Sequence, residues 1–220
     1  MSSTRRNSPP AIAVFCSGQG TNLQAILNAT RAGRLRARVA LVVSDQPHAQ
    51  ALQRATRAGV ETRYLAPSAY PTRAEYDRAL INLCETRRVR LVCLAGFMRI
   101  LSPVFVRRYR RRILNIHPAL LPAFPGAHAI RDALQWGVKV TGVTVHVVDE
   151  QVDHGPIILQ EAVSIRPEDT EESLLARLHQ VEHRLYPRAI QLLLEGRVRI
   201  TGRPQGGLSA GRGCVPSAGE

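Results

Sequence analysis

Short apolar runs alternate with longer segments of helical periodicity through the first two thirds of the chain, and no other feature restricts the possible folds as strongly. Runs at residues 12–16, 39–44, 62–65, 90–94 and 113–116 are typical of strands, and the segments between them, 22–30, 49–58, 73–86 and 103–109, repeat their apolar positions at helical spacing. Strands that alternate with crossover helices form a parallel sheet. We therefore predict an α/β protein with a Rossmann-like, mostly parallel twisted sheet and helices on both faces.

The last third of the chain changes this pattern. After a further helical segment at 129–136, strands are predicted at 140–148 and 157–165 with a turn at 153–156 between them, which adds an antiparallel hairpin to one end of the sheet. A long amphipathic helix, 170–194, closes the fold. We predict one domain over residues 11–201 with flexible tails at 1–10 and 202–220, because these tails contain too little apolar surface to fold alone.

Composition excludes several classes of protein. The chain has 220 residues, of which 45% are hydrophobic, enough for a substantial core. The longest apolar runs are too short to span a bilayer and residues 1–10 lack the apolar segment of a secretion signal, so we expect a cytoplasmic protein with no membrane partner. The four cysteines show no paired metal spacing, and His179 and His183 lack the glutamate of a metalloprotease helix, so we expect no metal site and no disulfide.

The net charge of +13 suggests a nucleic-acid partner, because a basic surface attracts phosphates. The arginines are spread along the chain, densest at 107–112, and only 5% of the residues are aromatic, so platforms for stacking bases are missing. We expect no nucleic-acid ligand and interpret most arginines as solvated, although several could bind acidic small molecules. A non-catalytic nucleic-acid-binding module is the alternative from a different class.

The segment Asn-Ile-His-Pro at 115–118 directly follows an apolar pair, so Asn115 and His117 leave the end of a predicted strand two residues apart and on the same side. Asparagine is a poor strand former and gains little there unless it is aimed at a ligand. If the hairpin turn folds over the same edge of the sheet, Asp153 reaches His117 and raises its pKa. Without a serine or cysteine nucleophile, such a group suits acyl transfer to an amine, in which Asn115 and protonated His117 bind the oxyanion and Asp153 relays the proton. A loop-capping role for Asn115 and His117 is the alternative.

A turn with two glycines, Ser-Gly-Gln-Gly-Thr-Asn at 17–22, leads from the first predicted strand into the first helix. Glycine lets backbone amides approach an anion closely, and the helix start adds the positive end of its dipole, so this turn is a candidate phosphate cradle. It is not a dinucleotide fingerprint, since Leu23 stands at the third glycine, and it is not a Walker loop. A tight turn without a ligand is the alternative, but its place at the carboxyl end of a strand favours binding.

Segments 16–26, 94–101, 115–122 and 153–158 together resemble, in order, the motifs of the folate-dependent formyltransferases, and within that family those of the phosphoribosylglycinamide formyltransferases. The resemblance runs from about residue 12 to residue 199. It implies a formyltransferase fold and an enzyme that transfers the formyl group of its cosubstrate, 10-formyltetrahydrofolate, to the primary amine of 5'-phosphoribosylglycinamide in purine (IMP) biosynthesis. Its partners would be these small molecules, and a homodimer is left open.

The resemblance also implies the site residues. The catalytic set would be Asn115, His117 and Asp153. The residues that bind the ribotide and its phosphate would be Gly20, Thr21, Asn22 and Glu182. The residues that bind folate would be Arg73, Met98, Arg99, Ile100, Leu101, Asn115, Asp149, Glu150, Gln151, Val152 and Asp153. The sequence departs from the family pattern at Gln19 and Thr21, which keep polar groups at the phosphate, and at Ala123, which removes an auxiliary charge.

Two relatives with other reactions are the nearest rivals. A methionyl-tRNA formyltransferase would be expected to have a folded domain after the catalytic one, and a formyltetrahydrofolate hydrolase would be expected to have a regulatory domain before it. Residues 202–220 and residues 1–10 are too short for either domain. We therefore expect the glycinamide ribonucleotide acceptor.

Overall fold

A computed structural model describes residues 8–198 and residue 200 of the chain, and within these residues it has seven strands and six α-helices. The strands are β1 (Ala11–Phe15), β2 (Arg38–Ser44), β3 (Thr62–Tyr64), β4 (Leu91–Leu94), β5 (Ile113–His117), β6 (Val140–Val147) and β7 (Ile157–Ser164). The helices are α1 (Thr21–Arg31), α2 (Gln50–Arg57), α3 (Arg73–Thr86), α4 (Pro103–Arg108), α5 (Ala129–Trp136) and α6 (Glu171–Leu194). Among the described helices, none combines the length and the apolar character needed to cross a membrane.

The predicted elements are all present, and their bounds agree with the observed ones to within one residue. One element was not predicted, a short 3-10 helix at Pro67–Ala69 that connects β3 to α3. Of the predicted tails, only residues 8–10 fall within the described part of the chain. The domain bounds of 11–201 therefore stay a prediction.

The strands form one sheet in the order β3-β2-β1-β4-β5-β6-β7. The five strands from β3 to β5 in this order run parallel to one another, whereas β6 is antiparallel to both β5 and β7. This arrangement confirms the predicted mostly parallel sheet with an antiparallel end. The strand order reverses between β1 and β4, so the loops that follow these two strands diverge at the carboxyl edge of the sheet, where ligands bind in folds of this kind.

Helices cover both faces of the sheet and give the domain two hydrophobic cores. One core joins the sheet to α1, α2, α5 and α6, and the other joins it to α3 and α4. Because side chains alternate along a strand, Leu114 and Ile116 of β5 enter the first core and Ile113 enters the second. Among the described residues, the second core contains no side chain of β6. That end of the second face is occupied by polar side chains instead.

Helix α6 holds the carboxyl ends of the central strands. It begins with a capping box, in which Thr170 and Ser173 exchange hydrogen bonds between side chains and main-chain N–H groups. The fully buried Tyr186 donates its hydroxyl hydrogen to the carbonyls of Leu94 (2.8 Å) and Leu114 (3.0 Å). These two residues end β4 and precede Asn115 of β5, so α6 is tied to the segments from which the candidate site is built.

Candidate active site

Asn115 and His117 lie on the same face of β5, as predicted from their spacing, and β5 extends one residue beyond its predicted end to include His117. They continue the alternation of Ile113, so both side chains face the side of the sheet that carries α3 and α4. In the neighbouring antiparallel strand, His146 pairs with Asn115 and Thr144 pairs with His117. Four polar side chains therefore share one surface of β5 and β6. The centre of the site lies on a face of the sheet, beside the crevice at its edge.

The proline-containing loop after β5 forms one wall of this surface and is held by Thr144. The Thr144 hydroxyl donates to the carbonyl of Ala119 (2.6 Å) and accepts from the N–H of Leu121 (3.1 Å). The side-chain amide of Gln160, from β7, donates to the carbonyl of Leu121 (2.9 Å) and also contacts the Thr144 hydroxyl. The loop thereby presents a main-chain carbonyl at Phe124 and a main-chain N–H at position 126 to the polar face.

Asp153 reaches Asn115 and His117 across 38 and 36 positions of the chain, because the hairpin loop folds over the same edge of the sheet, which was the condition for the predicted contact. Its Oδ1 accepts from Asn115 Nδ2 (3.2 Å), and its Oδ2 lies 3.4 Å from His117 Nδ1 and accepts from the N–H of Gly126 (2.8 Å). Gly155 permits this fold of the hairpin loop, because a Cβ there would lie 1.8 Å from the carbonyl oxygen of Val147. Asp153 itself has a φ of 50°, in the left-handed region that costs a residue other than glycine about 1 kcal/mol or more. The contacts of its carboxylate compensate for that conformation.

His146 also belongs to the cluster, although the sequence pattern did not predict it. Its Nε2 lies 3.3 Å from Asn115 Nδ2 and 3.4 Å from Asp153 Oδ1, and its Nδ1 lies 3.1 Å from the carbonyl of Val147. The ring is buried, with 1% of its surface exposed. The alternation of the 140–148 segment places His146 on one face with Thr144, but only the register between β5 and β6 brings it to Asn115.

His117 is a neutral base in this arrangement, which corrects one prediction. Burial lowers the pKa of His117 below its ordinary value, although the Asp153 carboxylate and the Phe124 carbonyl act in the opposite direction. The expected raised pKa is therefore wrong, because desolvation of the charged ring outweighs a carboxylate 3.4 Å away. Since His117 Nε2 donates to the carbonyl of Phe124 (2.7 Å), its free lone pair is on Nδ1, which faces Asp153.

Asp153 stays ionised beside this neutral ring. Burial raises the pKa of Asp153, but hydrogen bonds from His146 and from the N–H of Gly126, together with the nearby His117, outweigh burial and bring the pKa below its ordinary value. At neutral pH the pair thus consists of an imidazole and a carboxylate with room for one more proton between Nδ1 and Oδ2. The arrangement can accept a proton from a reacting group.

The turn at 17–22 begins at the end of β1 and forms a separate part of the site. Gly20 is the N-cap of α1, with a φ of 72°, and no side chain caps this helix end. The turn lines a cavity of about 230 Å³ together with Gly96, Leu175 and His179. Ser17 joins it to the loop after β4, since the Ser17 hydroxyl accepts from the N–H of Met98 (2.9 Å). The loops after β1 and β4 are therefore joined by Ser17 at the base of the crevice, where the strand order reverses.

Glu182 of α6 lies at the same end of α1 and is bound by Asn22. Asn22 Nδ2 donates to Glu182 Oε2 (2.7 Å), and Glu182 is buried, with 5% of its surface exposed. Burial raises the pKa of Glu182 above its ordinary value, although the hydrogen bond from Asn22 favours the carboxylate. Asn22 Nδ2 is therefore committed to Glu182, and the donors that the turn offers a ligand are its main-chain N–H groups and the hydroxyl of Thr21. His179 lies one turn of α6 before Glu182 and His183 directly follows it, and the two imidazole rings stack on each other.

Apart from Asn115 in β5, the predicted folate residues occupy two loops and one helix start. Met98 and Ile100 are among the most exposed large apolar side chains (71% and 60%), whereas Leu101 is buried in the core and Arg99 lies over the ring of Tyr76. Val152 is exposed in the hairpin loop, whose Asp149 bonds the main-chain N–H of Gln151 and the ring of His154. Glu150 pairs with Arg107 (3.4 Å), and Arg73 is the exposed first residue of α3.

The predicted folate residues therefore differ in burial and in what they can contact. Asn115 and Asp153 belong to the contact cluster, and Met98, Ile100 and Val152 offer exposed apolar surface. Leu101 packs inward, so it acts through the shape of its loop. Among the described residues, no three His, Cys, Asp or Glu side chains are grouped so as to hold a metal ion, and Cys16, Cys84 and Cys93 are buried free thiols.

Known proteins that are similar to this chain belong to one family. The model of the formyl transferase family matches residues 11–190 of the chain. A glycinamide ribonucleotide transformylase 1 from Symbiobacterium toebii is 52% identical, with a TM-score of 0.88 over 90% of this chain and 93% of that one. The phosphoribosylglycinamide formyltransferase of Escherichia coli K12 is 43% identical over 86% of this chain and 89% of its own length.

Longer relatives share the same region. The trifunctional purine biosynthetic protein adenosine-3 of Drosophila melanogaster is 48% identical over 86% of this chain. The chain spans only 14% of the length of that relative, and 19% of the length of the human protein of the same name, to which it is 45% identical. The chain thus corresponds to one segment of these proteins and to most of the bacterial ones.

Proposed function

The chain belongs to the formyl transferase family, and from this premise we propose that it transfers the formyl group of 10-formyltetrahydrofolate to the primary amine of 5'-phosphoribosylglycinamide. The products are formylglycinamide ribonucleotide and tetrahydrofolate, in de novo purine (IMP) biosynthesis. The observation that carries this proposal is the contact of Asp153 with Asn115 and His117 on one face of the sheet. The family supplies the folate-dependent class of reaction, and the cluster supplies groups that suit it.

The first step forms a bond between the amine nitrogen and the formyl carbon, and the carbonyl oxygen becomes an oxyanion. Asn115 Nδ2 carries two N–H groups: one donates to Asp153 Oδ1 (3.2 Å), and the other, which lies 3.3 Å from His146 Nε2, turns from that contact to donate to the oxyanion. Collapse of the intermediate breaks the bond from the formyl carbon to N10 of the folate. Asn115 thus acts on the charge that develops only during the reaction.

His117 and Asp153 move the proton that this exchange releases. The attacking amine loses one proton, which His117 Nδ1 accepts, because that atom carries the free lone pair and lies beside the Asp153 carboxylate. The ring is then charged and assists Asn115 in stabilising the oxyanion. The same proton passes to N10 as the folate leaves, so the pair returns to its starting state and no proton is left over.

The turn at 17–22 suits the acceptor. Its main-chain N–H groups and the uncapped start of α1, at Gly20, Thr21 and Asn22, would bind the ribotide phosphate. Glu182, held by Asn22 and buried beside this turn, would accept hydrogen bonds from the ribose hydroxyls. Because the phosphate cradle and the catalytic face come from the ends of different strands, the acceptor spans the distance between them.

The folate would lie against the loops after β4 and β6. The exposed side chains of Met98, Ile100 and Val152 provide apolar surface for its ring system, and Arg73 provides a cation for its carboxylates. Of the remaining predicted folate residues, Arg99 and Leu101 shape the first loop and Asp149, Glu150 and Gln151 shape the second. The residue roles in both binding sites are part of this proposal.

The test is an absorbance assay for loss of 10-formyltetrahydrofolate with glycinamide ribonucleotide as acceptor. We expect Asn115→Ala to lower kcat by about 10²-fold to 10³-fold, the usual effect of losing an oxyanion donor, and His117→Ala and Asp153→Asn to lower kcat by about 10²-fold or more. Asp132→Asn changes a partly exposed carboxylate on α5, away from the cluster; it is the matched control and should keep wild-type activity. Turnover of another amine, but not of glycinamide ribonucleotide, would contradict the acceptor assignment.

A further inference from the structure

Helix α2 contacts the turn at 17–22 from the side opposite its cavity. The N–H of Ala51 donates to the carbonyl of Gly18 (3.1 Å), and Arg54 Nε donates to the carbonyl of Gln19 (2.8 Å). Neither Ala51 nor Arg54 lines the 230 Å³ cavity, which is bounded by the turn itself. Two successive carbonyls of the turn therefore point away from the cavity and towards α2.

The geometry of the peptide bond converts these contacts into an orientation of the N–H groups. In a trans peptide the C=O and the following N–H point in opposite directions. When the carbonyls of Gly18 and Gln19 point to α2, the N–H groups of Gln19 and Gly20 point to the cavity. Neither N–H group has a main-chain acceptor in the described part of the chain, so both are available to an anion.

Arg54 is the only side chain among the described residues that bonds a carbonyl of this turn. Its guanidinium also lies 3.4 Å from Gln24 Oε1 on α1, so one planar group connects α2 to the turn and to the helix that follows it. Arg54 lines a second cavity, with Thr21, Gln24 and His183, and it does not line the cavity bounded by the turn. It therefore acts on the turn through the carbonyl of Gln19 and does not need to touch a bound phosphate.

We infer that Arg54 is a positioning residue for phosphate binding: it holds the carbonyl of Gln19 so that the N–H of Gly20 stays directed at the phosphate of the acceptor. This inference rests on the proposed function, because it assigns a phosphate to the turn. It assigns Arg54 a specific contact and role that the exposed arginines, whose charge is spread over the surface, do not have. The orientation of the turn depends on the planar guanidinium of Arg54, whose Nε–H donates to the carbonyl of Gln19. The positive charge of Arg54 also favours binding of an anion.

The experiment compares two acceptors in the intact chain, glycinamide ribonucleotide and the corresponding riboside without phosphate. Arg54→Met removes the donor and the charge but keeps an unbranched stem, and we expect it to raise KM for the ribotide about tenfold or more with kcat within about threefold. The KM for the riboside should stay unchanged. Arg54→Lys keeps the charge without the planar fork and should restore only part of the affinity. Arg57→Met, one turn along α2 and exposed, is the matched control for net charge and should behave as wild type.

Three results would overturn the inference. They are an equal rise in KM for ribotide and riboside, an equal effect of Arg57→Met, and full rescue by Arg54→Lys, which would reduce the role of Arg54 to charge alone. Calorimetric titration with inorganic phosphate separates this inference from the proposed function. If the wild type binds phosphate and Arg54→Met binds it about tenfold more weakly, the role of Arg54 holds even when the wild type does not formylate glycinamide ribonucleotide.

Discussion

Replacing Gly20 by alanine adds one methyl group at the point where the turn touches α2, and we expect two separable effects. The first is backbone strain, because Gly20 has a φ of 72°, in the left-handed region. The second is a clash, because the new Cβ would lie 2.7 Å from both Cα and Cβ of Ala51. The Cα of Ala51 belongs to the backbone of a helix, so rotation of a side chain cannot relieve the contact.

The structure gives the size of each effect. Left-handed strain costs a residue other than glycine about 1 kcal/mol. Relief of the clash requires the turn and α2 to separate by about 0.7 Å, the difference between 2.7 Å and the ordinary contact limit of 3.4 Å. Overpacking of this kind costs about 1–3 kcal/mol. We therefore expect Gly20→Ala to lower the free energy of unfolding by about 2–4 kcal/mol, and to shift the N–H groups of the turn away from the phosphate.

Two other glycines provide matched controls. Gly33 has a φ of 71° and nothing within 4 Å of an added Cβ, so Gly33→Ala contains the strain without the clash and should cost about 1 kcal/mol. Gly18 lies in the same turn, has no such φ and has open space around it, so Gly18→Ala should change the free energy of unfolding by less than about 0.5 kcal/mol. The difference between Gly20→Ala and Gly33→Ala isolates the clash.

Denaturant unfolding and the KM for glycinamide ribonucleotide measure the two consequences. For a domain of this size each kcal/mol lowers Tm by about 2–4 °C, so Gly20→Ala should unfold several degrees below Gly33→Ala. Adding Ala51→Gly removes the Cβ but not the Cα from the contact, and should recover only part of the loss. If Gly20→Ala matches Gly33→Ala in stability and the wild type in KM, then α2 does not set the position of this turn.

Three further predictions concern the catalytic face and its support. Tyr186→Phe should lower the free energy of unfolding by about 1–2 kcal/mol in a denaturant titration, because two buried carbonyls lose their shared donor, and an unchanged midpoint would contradict this. His146→Ala should lower kcat about tenfold or more in the folate assay by releasing Asn115, whereas a changed KM alone would show a binding role. The NMR titration of His117 should give a pKa below the ordinary value of about 6.5, and Asp153→Asn should lower it further, since the carboxylate favours the charged ring. An increase in that variant would refute the electrostatic assignment.

The pH dependence of stability follows from the same two groups. His117 has a lowered pKa in the folded protein, so the unfolded chain binds its proton more readily and stability falls as the pH drops below about 6.5, the pKa of an unfolded histidine. Asp153 also has a lowered pKa, so its stabilising contribution is present above about pH 3.9 and is lost as the pH falls through the folded value. Both groups therefore favour the folded state more at neutral pH than in acid.

The sequence by itself determined the helices, the strands and the sides on which Asn115 and His117 lie. These features depend on spacing along the chain: a period of two along β5 places both side chains on one face, and apolar positions at helical spacing define each crossover. The order of parallel and antiparallel elements follows from the same patterns. For this reason the predicted bounds and the observed bounds differ by one residue at most.

Only the tertiary structure decided which residues of different elements come into contact and how burial changes the pKa values of the site. The pairing of His146 with Asn115 depends on the register between β5 and β6, and the reach of Asp153 depends on a loop folded over a distant strand. The pKa of His117 was predicted in the wrong direction because a sequence shows which groups are present, but not how deeply a ring is buried. Arg54 could not be distinguished from the other arginines until its guanidinium was placed behind Gln19. Burial and contacts between distant residues form only when the chain folds, and no local period of the sequence encodes them.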